Sequence, residues 1–310
     1  MHNFIMIHVN HTAQEITKGL LSKQPFISPK FFYDRLGSYL FSAITAVPEY
    51  YIPAVEAQII ANAIPEIARL AGQGCVLIDI GAGDGRKVAN LFTHLRPAAY
   101  VGIDISAEHL QQSINALQRE FPDLTMLGYV CDFSSQLTLP KDLVKGPRLA
   151  FYLGSSLGNF SPEQAIGFLI QIRKQLRGGS LLVGLDMVKE ARVLNAAYND
   201  SLGITAAFNR NILLNVNRLI SADFSIHDFE HKAFFNPAES RIEMHLQAVR
   251  NLCVQWPSGR LVLRTGDRIH TENSYKYTLK SLNGLLCKAG FTQIRVWTDS
   301  DDYFALAWAR

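Results

Sequence analysis

A regular alternation of short apolar runs with helical stretches, beginning near residue 76, constrains the fold of this chain more than any other feature. Five runs rich in branched apolar residues follow one another: CVLIDI, YVGIDI, TMLGYVCDF, RLAFYLG and LLVGLDM. Helices are predicted between them at 86–95, 107–121 and 162–176, with Ser106 and Ser161 as N-caps. Strands that alternate with helices pair in parallel, so the pattern predicts an α/β fold built on a parallel sheet.

The alternation stops after LLVGLDM and resumes near the C-terminus. Residues 190–219 are predicted to be helical, and DFSIHDFEHKAFFNP, RIEMHLQAV and RLVLRTGDRIH to be antiparallel strands. A helix at 275–289 and a hairpin of FTQIRVWT with DYFALAWA then complete the sheet. We therefore expect a sheet domain at 54–187 and 275–310, and a second α+β domain at 1–53 and 188–274.

Composition limits the classes of function. The chain has 310 residues, 48% of them hydrophobic, and a formal net charge of +3 without a concentrated basic run, so nucleic acid is not indicated as a partner. The four cysteines form no CxxC pair, and no apolar run approaches the roughly 20 residues of a bilayer span. We expect a cytoplasmic protein without a membrane partner or a bound metal.

A glycine-rich turn, DIGAGDGRK at 79–87, follows the first of the five runs and opens into a predicted helix. Glycines allow tight backbone geometry and let a ligand approach the main chain beside a helix N-terminus. A dinucleotide fingerprint needs a third glycine at position 86, where Arg86 stands. The DxGxGxG spacing is instead the one seen in S-adenosylmethionine (SAM) enzymes.

Two further acids end the next two predicted strands. Asp104 is placed to accept hydrogen bonds from both ribose hydroxyls, and Asp132 from an adenine amino group with the ring of Phe133 beside it. The carboxyl ends of parallel strands meet at one edge of a sheet, so these acids are expected near the glycine turn. The alternative is that Asp104 and Asp132 merely cap the helices that follow.

These motifs, together with others spread along the chain, identify a resemblance to EgtD-type histidine-specific SAM-dependent methyltransferases. The matching stretches are PKFFYDRLGSYLF, VPEYY, DIGAGDGRK, DISAEHL, DF at 132–133, LGSSLGNF, AAYNDSLGITAAFNRN, RIEMHL and IHTENSYKY. The resemblance implies a Rossmann-like methyltransferase sheet with an inserted α+β substrate-binding domain. It implies successive methylation of the α-amino group of L-histidine to the trimethylated product, hercynine, the first committed intermediate of ergothioneine synthesis.

The resemblance also assigns roles to individual residues. It implies that Glu272 and Ser274 bind the imidazole and that Tyr33 contacts the amine as the catalytic residue. The other substrate residues that it implies are Asn159, Tyr198, Tyr50 and Met244. Those that it implies for SAM are Gly81, Gly83, Lys87, Asp104, Asp132 and Phe133. Asn199 and Asp267 depart from the family pattern, where aspartate and glutamate are expected.

Several alternatives remain open from the sequence. Viewed alone, Glu272 reads as a surface acid or a cap of the helix predicted near Tyr275, and Lys276 with Lys280 as a solvated helix face. His227 and His231 have the spacing of a metal pair but no third ligand, and we interpret them as structural. The alternative functions are methylation of tryptophan or another aromatic amino acid, methylation of nucleic acid, and SAM sensing without catalysis. The protein is expected to be a monomer.

Overall fold

The computed structural model describes residues 12–134, 136–139 and 145–310, together with the backbone of Phe4–Met6. These residues form two compact units. Unit 1 contains Phe4–Met6, Ile52–Val188 and Lys276–Arg310, and unit 2 contains residues 12–51 and Lys189–Tyr275. Each unit is therefore built from segments that are distant in the sequence.

Unit 1 is built on an eight-stranded sheet. In chain order its strands are β1 (Phe4–Met6), β2 (Val76–Ile80), β3 (Ala99–Asp104), β4 (Thr125–Val130), β5 (Arg148–Tyr152), β6 (Ser180–Asp186), β12 (Ile294–Thr298) and β13 (Phe304–Ala309). The spatial order is β1-β4-β3-β2-β5-β6-β13-β12, in which the first six strands are parallel and β13 is antiparallel to both neighbours. Strand order reverses between β2 and β5, which is where open α/β sheets bind ligands.

The five predicted parallel strands and the closing hairpin are confirmed, but the sheet has one strand more. Phe4–Met6 pairs in parallel with Gly128–Val130 of β4 at the edge of the sheet. The prediction that the first fifty residues lie outside the sheet is therefore wrong for this short strand. A run of three residues is too short for an alternating pattern to be recognised.

The helices predicted at 107–121 and 162–176 are confirmed, the other two predicted helices of unit 1 differ from their predictions, and the helix Ile52–Ala71 was not predicted. The helices of unit 1 are α3 (Ile52–Ala71), α4 (Arg86–Ala89), α5 (Phe92–Leu95), α6 (Ala107–Glu120), α7 (Pro162–Leu176) and α10 (Leu279–Lys288). The helix predicted at 86–95 is two short helices interrupted at Asn90, a residue whose side chain competes for backbone hydrogen bonds. Ser161 forms a capping box with Gln164, whereas the Ser106 side chain makes no capping hydrogen bond.

The segment before α10 differs from its prediction. Thr278 caps α10 through the backbone N–H of Ser281, so residues 275–277 precede the helix. Lys276 is fully buried and its Nζ lies 2.7 Å from Asp186 Oδ2. The interpretation of Lys276 as part of a solvated helix face is therefore wrong, because its charge is neutralised inside the protein.

Unit 2 combines helices with two small antiparallel sheets. Its helices are α1 (Thr12–Leu20), α2 (Arg35–Ile44), α8 (Ala191–Ala197) and α9 (Ile204–Ile220). Its strands are β7 (Phe229–Asn236), β8 (Arg241–Ala248), β9 (Leu252–Trp256), β10 (Gly259–Leu263) and β11 (Arg268–Tyr275). They pair as a three-stranded sheet β11-β8-β7 and a hairpin β9-β10. No helix in the described part of the chain is long and apolar enough to span a lipid bilayer.

Two segments of unit 2 are divided more finely than predicted. The helical stretch at 190–219 breaks between α8 and α9, where both carboxylate oxygens of Asp200 accept backbone N–H groups, from Ile204 (2.8 Å) and Thr205 (2.7 Å). RLVLRTGDRIH splits into β10 and β11, because Asp267 Oδ2 accepts the Arg264 N–H across a turn. Acids that cap local backbone groups favour such breaks.

Candidate active site

The glycine-rich turn of unit 1 follows β2 and has the backbone geometry that only glycine adopts freely. Gly81, Gly83 and Gly85 have φ values of +72°, +54° and +68°. A Cβ atom on Gly85 would lie 2.6 Å from Leu117 Cδ1, whereas one on Gly83 would meet nothing within 4 Å. The turn therefore packs against α6 at Gly85, whereas the space beside Gly83 is open, so a ligand can approach the backbone there.

Asp104 and Asp132 lie at the ends of neighbouring strands and are held by the backbone. The two oxygens of Asp104 accept N–H groups from Gly83 (3.0 Å) and Ser106 (2.9 Å). Burial raises the pKa of Asp104, and these two donors act in the opposite direction. Asp132 Oδ1 accepts the Ser134 N–H at 3.1 Å. Both acids thus bond to the loop after their strand, but neither caps a helix in the described residues, because Ser106 is the N-cap residue of α6 and no helix lies between Asp132 and β5. Asp104 also fixes the glycine turn.

Phe133 lies beside the same turn. Its Cζ atom is 3.7 Å from the position of a Cβ on Gly81, and its ring contacts Tyr152 and Phe168 with centroid distances of 6.2 and 6.0 Å. An aromatic ring, two carboxylates and an open glycine backbone therefore meet at the carboxyl edge of the sheet. Together these groups fit the adenine, the ribose hydroxyls and the amino acid portion of SAM.

Asp79, the first residue of the glycine motif, has a different environment. Its side chain is buried, and Oδ2 accepts the Tyr100 hydroxyl at 2.9 Å. Burial raises the pKa of Asp79 to about 7, although the Tyr100 hydrogen bond and the Lys87 charge act to lower it. The sequence does not identify this residue as titratable near neutrality, because burial depends on the whole fold.

This pKa predicts how an Asp79→Asn variant responds to pH. The folded protein keeps the Asp79 proton up to about pH 7, whereas the unfolded chain releases it near 3.8. Between about pH 4 and pH 7 the folded protein holds a proton on Asp79 that the unfolded chain has released, so the free energy of unfolding of the wild type falls as the pH rises. The Asp79→Asn variant has no such proton, and this contribution to the fall is absent from it. The difference in the free energy of unfolding, Asp79→Asn minus wild type, should therefore increase from about pH 4 to about pH 7. Urea unfolding at several pH values would measure it. A constant difference would contradict the expectation.

Lys87 is oriented by a buried glutamate that the sequence analysis missed. Lys87 Nζ lies 2.7 Å from Glu56 Oε2, and Glu56 Oε1 accepts the Gly154 N–H at 2.7 Å. The Glu56 side chain has no exposed surface, whereas 41% of the Lys87 side chain is exposed. An ammonium has three donors, so this pair leaves Lys87 able to bind a carboxylate. The only sequence signal is an acid within the apolar helix α3.

Asn159 is the one predicted substrate residue in unit 1. It ends a 3₁₀ helix, Ser156–Asn159, that follows β5, and it is half-buried. Ser155 begins this turn with a left-handed φ of +59°, and its Oγ accepts the Asp186 N–H at 3.0 Å. The loop that carries Asn159 is thus fixed to β6.

The predicted tyrosines of unit 2 belong to one aromatic cluster. Tyr50 meets Tyr198 edge to face with ring centroids 6.1 Å apart. Tyr33 lies against Phe41 and Phe208, with centroid distances of 5.7 and 5.9 Å. Phe41 of α2 also contacts Tyr50, with ring centroids 6.4 Å apart, so Phe41 joins Tyr33 to the pair of Tyr50 and Tyr198. The neighbouring Tyr51 accepts a hydrogen bond from Lys189 at 2.7 Å.

Glu272 and Ser274 lie in β11 and not at a helix end. Their strand neighbours across β8 are Met244 and Ile242, which are buried in the core of unit 2. Ser274 Oγ accepts the Tyr198 hydroxyl at 2.8 Å, and Glu272 is half-buried. The interpretation of Glu272 as a helix cap is wrong, because α10 begins seven positions later at Leu279. Glu272, Ser274, Met244 and Tyr198 lie on the same face of the sheet.

That orientation depends on a β-bulge at Thr271. His270 pairs with His245, and Glu272 with Met244, so Thr271 is an extra residue in β11. Side chains alternate between the two faces of a strand, and one extra residue exchanges the faces. Before the bulge Ile269 faces the core, and after it Glu272 and Ser274 do.

The opposite face of the sheet carries its own charged cluster. Glu243 accepts hydrogen bonds from Arg241 and lies 3.0 Å from His245 Nε2. Burial acts to raise the pKa of Glu243, but hydrogen bonds from Asn236, Arg241 and His245 outweigh it and hold the pKa at about 2. The carboxylate of Glu243 is thus fully engaged by its neighbours.

The remaining sequence interpretations concern the histidines, a bound metal, and the two departures from the family pattern. His231 Nε2 lies 2.9 Å from the Tyr198 carbonyl oxygen and Nδ1 2.8 Å from Asn209, which is consistent with a structural role. Within the described residues, no group of three or more His, Cys, Asp or Glu side chains could hold a metal ion. Asn199 and Asp267 are exposed, and both bond to nearby backbone groups.

Residues 12–310 match the model of a family described as histidine-specific methyltransferase, SAM-dependent. The chain belongs to this family. It is 36% identical to the histidine N-alpha-methyltransferase of Mycobacterium tuberculosis over 304 residues, which cover 96% of this chain and 94% of that protein. The Mycolicibacterium smegmatis enzyme of the same name is also 36% identical, over 303 residues and the same shares of the two chains.

A third relative is longer. The chain is 30% identical to the ergothioneine biosynthesis protein 1 of Neurospora crassa over 292 residues, which cover 87% of this chain and 32% of that protein. Membership of the histidine-specific methyltransferase family makes this protein a SAM-dependent N-methyltransferase with a mixed α/β fold. The predictions of family, fold class, enzyme class and cofactor are confirmed.

Proposed function

We propose that this enzyme transfers methyl groups from SAM to the α-amino group of L-histidine, three in succession, to give the trimethylated product. The observation that carries the proposal is the face of unit 2 on which Glu272 and Ser274 lie with Met244 and the Tyr198 hydroxyl. A carboxylate among apolar and aromatic side chains suits a flat ring with an N–H donor. Family membership and the two mycobacterial relatives named for histidine support the same substrate.

Recognition of the imidazole is assigned to Glu272 and Ser274. A carboxylate that accepts an imidazole N–H fixes both the orientation and the tautomer of the ring. Ser274 Oγ accepts the Tyr198 hydroxyl on the same face, and the Ser274 side chain is assigned to the second ring nitrogen. Met244 supplies an apolar surface opposite Glu272. Substrates without a ring donor would leave the carboxylate unpaired, and the site would reject them.

Asn159, Tyr198, Tyr50 and Tyr33 are assigned to the amino acid end of the substrate. An amide and phenol hydroxyls can bind the α-carboxylate, and the Tyr33 hydroxyl can accept a hydrogen bond from the amine and orient its lone pair. The third methyl group removes the last N–H donor and leaves a permanent cation. Aromatic faces still stabilise that cation, which is chemistry that the cluster of Tyr33, Phe41 and Phe208 can supply.

The SAM site is assigned to the carboxyl edge of the sheet in unit 1. Gly83 presents open backbone and Gly81 lies beside Phe133, Asp104 binds the ribose hydroxyls, and Asp132 with Phe133 binds the adenine. Lys87, fixed by Glu56, binds the carboxylate of the cofactor. When bound there, SAM would supply an electrophilic methyl group: the lone pair of the neutral α-amine would bond to the methyl carbon as the C–S bond breaks, with the thioether as the leaving group.

The principal alternative substrate is tryptophan or another aromatic amino acid. Incubating purified enzyme with SAM and each amino acid in turn, followed by mass spectrometry, distinguishes the possibilities. We expect histidine to gain one, two and three methyl groups and the other amino acids to gain none. Methylation of tryptophan in preference to histidine would overturn the proposal. The family resemblance implies that the trimethylated product enters ergothioneine synthesis, the process for which the Neurospora relative is named.

A further inference from the structure

The β-bulge that orients Glu272 is held by hydrogen bonds of Thr271 and Asn209, two residues with no assigned contact to histidine or SAM. Thr271 is fully buried, and its hydroxyl lies 2.7 Å from Asn209 Oδ1 and 3.0 Å from the Met244 carbonyl oxygen. The single hydroxyl proton is shared between these two acceptors. The extra residue of β11 is thereby attached both to α9 and to its partner strand β8.

Asn209 extends this attachment to the tyrosine that bonds Ser274. Its amide nitrogen donates to the His245 carbonyl oxygen at 3.0 Å and lies 2.8 Å from His231 Nδ1. An amide nitrogen can only donate, so Nδ1 accepts and Nε2 carries the proton that is donated to the Tyr198 carbonyl oxygen at 2.9 Å. Every polar atom of the Asn209 side chain is satisfied. The network therefore links the bulge to the backbone of Tyr198.

The register of β11 against β8 would be different without the bulge. If β11 continued from His270 without an extra residue, Glu272 would pair with Glu243 and Thr271 with Met244. Glu272 would then lie on the face of Arg241 and His245, and Ser274 would leave the Tyr198 hydroxyl. Since Glu243 already binds Arg241 and His245, a second carboxylate there would add repulsion.

We propose that Thr271 and Asn209 are positioning residues for histidine recognition: by fixing the bulge they hold Glu272 and Ser274 on the face of Met244 and Tyr198. This role rests on the proposed function of Glu272. Neither side chain needs to touch the substrate, because each acts through the register of β11. Specificity for an imidazole then depends on the Thr271 hydroxyl and the Asn209 amide, which orient the Glu272 carboxylate.

The test begins with Thr271→Val, which preserves shape and removes the hydroxyl. We expect the KM for histidine to rise about tenfold, while kcat and the Kd for SAM change by about twofold or less. Thr271→Ser retains the hydroxyl and should stay within about threefold of wild type. A merely structural role would lower the stability and the amount of folded enzyme but would not alter KM alone, and serine would not rescue it selectively.

A double-mutant cycle with Glu272→Ala then tests the route of action. If Thr271 acts through Glu272, Thr271→Val should change the histidine KM by about twofold or less once Glu272 is absent. Additive effects in the two backgrounds would overturn the positioning role. If Glu272→Ala alone leaves the histidine KM unchanged, the proposed recognition by Glu272 fails, which is a separate result.

A second variant keeps the test decisive if Thr271→Val does not fold. Thr271→Cys keeps a weaker donor of similar size, and about a threefold rise in the histidine KM is expected with SAM binding unchanged. An unchanged KM in folded Thr271→Cys, or an equal loss of histidine and SAM binding, would overturn the proposal.

Discussion

Replacing Glu272 with alanine is expected to raise the KM for histidine about 10- to 150-fold and to leave the Kd for SAM within about twofold of wild type. A hydrogen bond to a charged group contributes about 1.5–3 kcal/mol, and each 1.4 kcal/mol corresponds to a factor of about ten. The loss falls on histidine because Glu272 lies in unit 2 on the face of Met244, whereas the assigned SAM residues belong to unit 1. Steady-state kinetics and SAM titration would measure both quantities.

Two variants of the same sheet serve as controls. Glu230→Ala removes an exposed carboxylate of β7, whose partner is Lys232, and should leave the histidine KM unchanged. Glu272→Gln retains an acceptor oxygen without the charge and should fall between wild type and Glu272→Ala. Losses of equal size for histidine and SAM in Glu272→Ala would show that the residue supports folding and not recognition.

Replacing Lys87 with methionine is expected to lower the free energy of unfolding by about 3 kcal/mol. The reason is that Glu56 is fully buried and Lys87 is not: among the described residues, the variant leaves the Glu56 carboxylate with the Gly154 N–H as its remaining hydrogen-bond partner. Breaking a buried pair costs about 3–5 kcal/mol, and the partial exposure of Lys87 places this pair at the lower end. Urea unfolding followed by circular dichroism would measure the loss, and SAM affinity should fall in the same variant.

The opposite substitution provides the comparison. Glu56→Gln leaves Lys87 where water can reach it and keeps an acceptor for Gly154, so its loss of stability should be smaller. The double variant, with neither charge, should recover most of the stability that Lys87→Met loses. A larger loss in Glu56→Gln than in Lys87→Met would contradict this account of the pair.

The sheet of unit 1 could be predicted because its signals are local. Five apolar runs, the glycines at 81, 83 and 85, and the capping residues around Pro162 each specify a strand, a turn or a helix start within a few positions. The acids Asp104 and Asp132 could be placed near the turn because parallel strands end at one edge. Strand Phe4–Met6 carries no such signal, and only its pairing with β4 reveals it.

Features that depend on distant contacts could not be predicted. Glu56 lies within an apolar helix, and nothing near it in the sequence shows that Lys87 and Gly154 neutralise its charge. Lys276 reads as a surface residue until Asp186 is seen beside it. The bulge at Thr271 has no signature in β11 itself, since it is defined by pairing with β8 and by Asn209 of α9. The family resemblance could suggest that Glu272 binds substrate but not how the strand turns it inward.

The bulge at Thr271 sets the register of the rest of β11 against β8. Every residue after it has its inward or outward orientation set by that single insertion, so Glu272, Ser274 and Tyr275 change places together if it is lost. A point substitution at one of these positions alters a single side chain. Deletion of one residue at the bulge would move all the later side chains of β11 to the opposite face of the sheet.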